Sequence, residues 1–279
     1  VFPATLAAYQ KWTEIQEGRL PYMYLDVEGL VHTGIGNLID ASPSGSSAPW
    51  TPALALPWKN PDGSAASPAT IQAQWQAVKA RQDLKGKGGG NAPFPSLTTI
   101  RLSQADIDAL FQKVLSSFTE TIRKYYPAID SWPADGQMGV LGMAWALGPA
   151  FPPQWPKFTA AITKSPPDFA GAALESNIAN GNLSRNRSQL LMLQNADYVQ
   201  KNGLDPSKLY FPNSASSGQV GATIQPPVAP ATLNKKRPMG TLSSIHISPT
   251  MTRDAAIIVF GAALGYGAYK VLRPRRLAR

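Results

Sequence analysis

The chain has 279 residues, which suits one sizeable domain with appendages, and only 15% of them are charged, against 23 Gly and 26 Pro. Cysteine is absent, which excludes disulfides and thiolate metal sites, and two histidines far apart in the sequence do not make a zinc site. The net charge of +9 is lopsided: residues 1–212 hold 17 basic and 16 acidic side chains, whereas residues 213–279 hold 9 basic ones and only Asp254. The main domain therefore lacks the basic balance of a nucleic-acid binder, and the basic tail suits an anionic membrane surface.

Val1-Phe2-Pro3-Ala4 carries neither a charged n-region nor an apolar h-region, so no signal peptide is read there; the start fits a chain whose initiator Met has been removed. Residues 5–17 follow as an amphipathic helix, with Leu6, Tyr9, Trp12 and Ile15 at helical spacing and Gly18 as its C-cap. Glu17 falls in the last turn, where the helix dipole disfavours an anion and favours the proton that a general acid must carry. Pro21 to Asp26 reads as a strand, Val27-Glu28-Gly29 as a turn and Leu30 to Gly36 as a returning strand. On the second strand Val31, Thr33 and Ile35 share one face, and Leu30, His32 and Gly34 the other. If the first face packs inward, His32 points out, and Gly34 and Gly36 keep the surface bare for close approach of a ligand.

Residues 41–67 are rich in Pro, Ser and Gly, with Trp50 and Trp58 placed to pack a long loop down. A helix is expected over 68–84, started by Pro68. The Lys85-Gly-Lys-Gly-Gly-Gly run that ends it lacks the pattern of a phosphate-binding loop. Ser103 and Asp106 form the capping signature of a helix reaching about Tyr125. Gln137 to Leu147 is apolar nearly all round, as for a helix in the middle of a bundle. Further helices are expected over 157–164, 167–179 and 184–201.

Residues 213–252 read as a Pro/Ser/Gly-rich linker, in which His246 has no chemical role. Residues 255–269 carry no charge, and Val271 and Leu272 extend the run past Lys270, which can snorkel, giving over 255–272 a helix at the lower limit of length for spanning a membrane, the alternative being a helix that lies at the interface or is buried by a partner. Gly261 and Gly265 permit close helix pairing. The arginines of 273–279 place the C-terminus on the cytoplasmic side or its equivalent, and the main domain on the other. The expected domains are 1–212, the linker 213–252 and the anchor 253–279.

Glu17-Gly18 closing a helix, Tyr24-Leu25-Asp26 nine residues after the glutamate, Gly29, and Gly34-Ile35-Gly36 on the returning strand resemble, without gaps, the signature of the phage-type lysozymes, glycoside hydrolase family 24. Looser similarity covers Leu102 to Asp106, Gln137 to Gly148, and Leu183 to Leu193 with Arg185 and Arg187, so that it spans roughly residues 5–200. The resemblance implies an α+β, lysozyme-like fold, with a small N-terminal hairpin lobe facing a mostly helical lobe across a cleft. It implies a muramidase cleaving between N-acetylmuramic acid and N-acetylglucosamine, with Glu17 as general acid and Asp26 as second carboxylate. Two carboxyl groups in different environments are what glycoside hydrolysis needs. Tyr24, Thr33, Gly34 and Gly36 are the substrate-binding set read beside them, and neither cofactor nor metal is expected.

The sequence departs from the family pattern where His32 replaces a catalytic threonine, with Thr33 one place later. A histidine can take a proton or attack carbon, so His32 is expected to be a third catalytic residue, as base or nucleophile. Asn37 replaces the family's histidine, and Ala146 sits near its usual asparagine. The expected partners are peptidoglycan, a membrane reached through 255–272, and virion proteins; nucleic acid is not among them. A C-terminal anchor on a long linker suggests a virion-associated enzyme facing the bacterial wall from the periplasmic side. The competing readings are an ejection or scaffold protein that only binds glycan, and a lytic transglycosylase.

Overall fold

The computed structural model describes residues 1–87, 90, 93–178 and 183–221. The remainder of the expected linker beyond 221 and the expected anchor 253–279 lie outside them, and among the described residues no helix is long and apolar enough to cross a membrane. The described chain is α+β and mostly helical, with one three-stranded antiparallel sheet.

Helix α1 (Pro3–Glu17) begins with Pro at its first position and ends at Gly18, whose φ of 79° a residue with a Cβ adopts only under strain. Strands β1 (Leu20–Leu25), β2 (Val31–Gly34) and β3 (Asn37–Leu38) follow in spatial order. Tyr24 lies opposite His32, and His32 opposite Leu38. Val31, Thr33 and Ile35 are buried and His32 is partly open, as the alternation implies, but Gly34, expected on the open face, is buried because the strand turns there at a φ of 64°. The two-residue strand β3 is too short to leave a periodic signal.

The 41–67 segment is a packed loop containing the short helix α2 (Thr51–Leu54). Trp58 is buried in it and donates its indole N–H to Ala53 O at 2.9 Å, while Lys59 and Arg101 exchange main-chain bonds of 2.9 Å each way. Helix α3 (Pro68–Ala80) stops four residues short of the expected end. Arg81 turns to ψ 52° and a 3-10 turn covers Gln82–Leu84, so the apolar Leu84 is buried without continuing the helix. After α4 (Phe94–Leu97), α5 (Gln104–Tyr125) opens with the full capping box, Ser103 and Asp106 each bonding the other's backbone N–H.

Helix α6 (Ala134–Leu147) is the centre of the molecule, buried without interruption from Ala134 to Ala144. It is apolar all round because it serves two cores. Met138 and Leu141 join the cluster of α1, the sheet, α3 and α5. Val140, Met143 and Ala144 join the cluster of α7 (Pro156–Ile162), α8 (Phe169–Leu174) and α9 (Leu183–Lys201). Glycines every third residue let its neighbours close in. A Cβ would stand 2.8 Å from the Phe169 ring at Gly136, 3.1 Å from Leu193 at Gly139 and 3.0 Å from the Trp12 ring at Gly142.

Packed structure continues past residue 212 among the described residues, with Ala215 buried. Residues 204–221 return across α6 and α9 as a strap fixed by two buried polar side chains. Asp135 accepts the N–H groups of Tyr210 at 2.8 Å and Phe211 at 2.9 Å, and Asn195 accepts that of Ala215 and donates to Asn213 O. The Ser/Pro/Gly composition of 213–221 looks like linker because these bonds are made by the backbone, which composition does not reveal.

Candidate active site

The β1–β2 turn presents Asp26. Its Oδ1 accepts the main-chain N–H groups of Glu28 and Leu30, both at 2.8 Å, and its Oδ2 faces His32 Nε2 at 3.1 Å. Burial works to raise the Asp26 pKa, but the hydrogen bond and charge of His32 and the N–H groups of Leu30 and Glu28 outweigh it, and the carboxyl lies below the usual range. Helix α3 holds the turn from behind. Lys79 Nζ donates to Gly29 O and to the buried Asp40, each at 2.8 Å, and Gln82 Nε2 donates to Gly29 O at 3.1 Å. Gly29, at φ 78°, leaves no room for a side chain: a Cβ there would meet Gln82 Oε1 at 2.0 Å.

Glu17 ends α1 in an ion pair with Arg185 of α9. Its carboxyl group packs on the bare backbone of Gly36, where a Cβ would stand 3.1–3.2 Å from its Cγ, Cδ and Oε2. Gly36 also accepts a hydrogen bond at 3.2 Å from His32 Nδ1 through its carbonyl. The backbone of Gly36 and the charges of both Glu17 and Asp26 act on the Tyr24 hydroxyl. Burial first, and then the two carboxylates, push the Tyr24 pKa upward. The Tyr24 ring lies 5.9 Å from that of His32 and edge-on to Phe94. Glu17, Tyr24, Asp26, His32 and Gly36 thus form one constellation, built from a helix end and a glycine-bearing hairpin.

Two residues of the expected substrate-binding set lie lower. Thr33 is fully buried, with its hydroxyl 3.5 Å from Leu20 O, and Gly34 faces Ile107 and Leu110 of α5 and the Asn37 side chain. Tyr24 is buried as well and reaches the constellation through its hydroxyl. Asn37 is a local brace, its Oδ1 accepting Ile35 N–H at 3.1 Å.

Arg185 is the residue that site reasoning from the sequence passed over. On α9 it stands at the head of a stripe with Gln189, Met192, Ala196 and Val199, all buried at helical spacing. A cation on the inward face of a helix is itself a signal that an acid awaits it. Arg19, next to Glu17, is fully engaged elsewhere. It donates to Glu14 at 2.6 Å, to Asp108 at 2.7 Å and to Gln104, which ties the end of α1 to the start of α5. Among the described residues no cluster of His, Asp and Glu could hold a metal ion. Two carboxyl groups, one paired to an arginine and one to a histidine, are groups that can donate and accept protons. No family model and no curated protein matches the chain.

Proposed function

We propose that the chain is a peptidoglycan-degrading glycoside hydrolase, a muramidase cleaving the β-1,4 bond between N-acetylmuramic acid and N-acetylglucosamine. The observation that carries this reading is the convergence of Glu17 and Asp26 on one glycine-lined hairpin, in different surroundings: Glu17 in an ion pair, Asp26 in a cage of N–H donors and an imidazole. Glycoside hydrolysis divides its work between two such carboxyl groups. The resemblance of Glu17 to Asn37 to the phage-type lysozymes supports it independently of the geometry.

In this reading Glu17 protonates the glycosidic oxygen. A carboxylate paired with Arg185 offers no proton, so substrate must part the pair or a proton must reach Glu17 beforehand. Asp26 stands as the second carboxylate, with His32 as the third functional side chain. The hairpin forms the small lobe of a lysozyme-like fold and the helices the large one, with glycan bound between. Peptidoglycan is the macromolecular partner.

The tail gives the enzyme its address. The uncharged run 255–269 and the arginines after it support a membrane anchor, and the residues before it a tether. Such a protein is a virion component that opens the wall locally while its catalytic domain faces the periplasm.

Zymography on purified peptidoglycan tests the activity. The wild-type chain is expected to clear the gel and Glu17→Gln to leave it opaque. Equal clearing by both would remove Glu17 from the mechanism, and binding without clearing by either would favour a glycan-binding scaffold.

A further inference from the structure

Gln189 is fully buried on the inward face of α9, yet neither its amide nitrogen nor its amide oxygen has a hydrogen-bond partner among the described residues. A buried polar group is ordinarily paired, and leaving one unpaired is costly. Its surroundings show how it fits but give it nothing to bond. Gly142 of α6 makes the room, since a Cβ there would stand 3.2 Å from Gln189 Nε2. Trp12 of α1 meets the same glycine with a carbon edge of its ring, Cη2 at 3.0 Å and Cζ3 at 3.3 Å from that Cβ position. One residue earlier on α6, Leu141 O accepts the Tyr9 hydroxyl at 2.9 Å. The charges of Arg185 and Glu17 both act on that hydroxyl. The unpaired amide thus lies against the same stretch of α6 that the Arg185–Glu17 ion pair reaches from outside.

Arg185 stands four residues before Gln189 on one helix. Side chains at that spacing are neighbours, with Cβ atoms about 5–6 Å apart. A helical side chain leans toward the turn before its own, which inclines Gln189 toward Arg185. The guanidinium has five N–H donors and no acceptor, and the Gln189 oxygen has both lone pairs free. Because neither amide atom is bonded, the amide can turn its oxygen to the arginine without giving up a hydrogen bond.

The ion pair has to part, or Glu17 cannot act as the acid. Arg185 is only 16% exposed, and a glycan lying over Glu17 would cover it further. A covered cation without a partner is strongly unfavourable. An acceptor on the inner side removes that penalty, because the arginine can leave Glu17 and remain hydrogen-bonded. We propose that Gln189 is a positioning residue, the second seat of Arg185, which takes the guanidinium when substrate parts the pair and so frees the Glu17 carboxyl group. This inference rests on the muramidase reading for its purpose, but the exchange of partners by Arg185 does not.

Stability of the full chain tests the exchange, in four forms: wild type, Gln189→Met, Glu17→Met and the two together. In the wild-type background Gln189→Met replaces an unpaired buried amide by an apolar side chain of similar length, so the unfolding midpoint should rise. In the Glu17→Met background Arg185 has turned to Gln189, so the same substitution should lower the midpoint. A shift no less favourable in the second background than in the first would overturn the inference, whether or not the chain cleaves glycan. Cleavage tests the role. Gln189→Met should lower the maximal rate about 10- to 100-fold, as for one lost hydrogen bond to a charged group, at an unchanged half-saturating glycan concentration and in spite of its higher midpoint. A side chain that only supported the fold would lose rate only together with stability, and an unchanged maximal rate would overturn the positioning role. If the wild type cleaves nothing, the muramidase reading falls, while the midpoints still decide whether Arg185 has a second seat.

Discussion

Gly36 lies directly against the carboxyl group of Glu17, with no space between them for a side chain: a Cβ on Gly36 would come within 3.1–3.2 Å of three Glu17 atoms. The same residue meets His32 Nδ1 through its carbonyl, at a φ of 69°. One glycine thus sets the spacing between the helix that carries one carboxylate and the hairpin that carries the other.

Gly36→Ala should therefore be costly twice over. The left-handed backbone should destabilise the variant by about 1–2 kcal/mol, readable as a lower unfolding midpoint. The displaced Glu17 should lower glycan cleavage further, even at temperatures where the variant is fully folded. A variant that loses stability but keeps its rate would separate Gly36 from the site.

Arg185→Met removes the partner of Glu17. The two side chains are 16% and 24% exposed, between an open and a buried ion pair, so the loss of stability should be about 1–3 kcal/mol by denaturant unfolding. Cleavage should fall as well, since the glutamate loses the group that orients it. Arg185→Lys should recover part of both, because it restores the charge without the planar fork.

Much of this site could be read from the chain, for a physical reason. The hairpin is local: alternation along Val31 to Thr33 assigns inward and outward faces, though it misplaces the buried Gly34, and glycines at 29, 34 and 36 mark where the backbone must turn or lie bare. The Ser103–Asp106 capping box and the two-sided burial of α6 are likewise encoded within one turn or one helix. What could not be read is held by bonds between distant segments. Arg185 meets Glu17 across 168 residues, and Asp135 captures the main chain of Tyr210 and Phe211 across 75 and 76. Composition alone made 213–221 a linker, and the helical period of Leu84 hid the break at Arg81.

Asp26 should make stability depend on pH. Its carboxyl lies lower in the folded chain than in the unfolded one, so its contribution is present above the ordinary carboxylate pKa of about 3.9 and is lost as pH falls through the depressed value. The difference in unfolding free energy between wild type and Asp26→Asn should be greatest near neutral pH and shrink below about pH 4. A difference that stays constant with pH would show that the cage around Asp26 does not favour its charged form.

The strap gives a prediction apart from catalysis. Asp135→Asn keeps one acceptor oxygen but turns an amide N–H₂ toward the other main-chain N–H, at a buried position. It should destabilise the domain by about 3 kcal/mol and speed hydrogen exchange at Tyr210 and Phe211 before that of α6. Uniform exchange over both would mean that the strap and the helix open together.

The most direct test of the central claim is mass analysis of the fragments released from purified peptidoglycan. Muramidase action predicts muropeptides ending in reducing N-acetylmuramic acid, released by the wild-type chain and not by Glu17→Gln. Fragments ending in 1,6-anhydro-muramic acid, or no fragments at all, would contradict it.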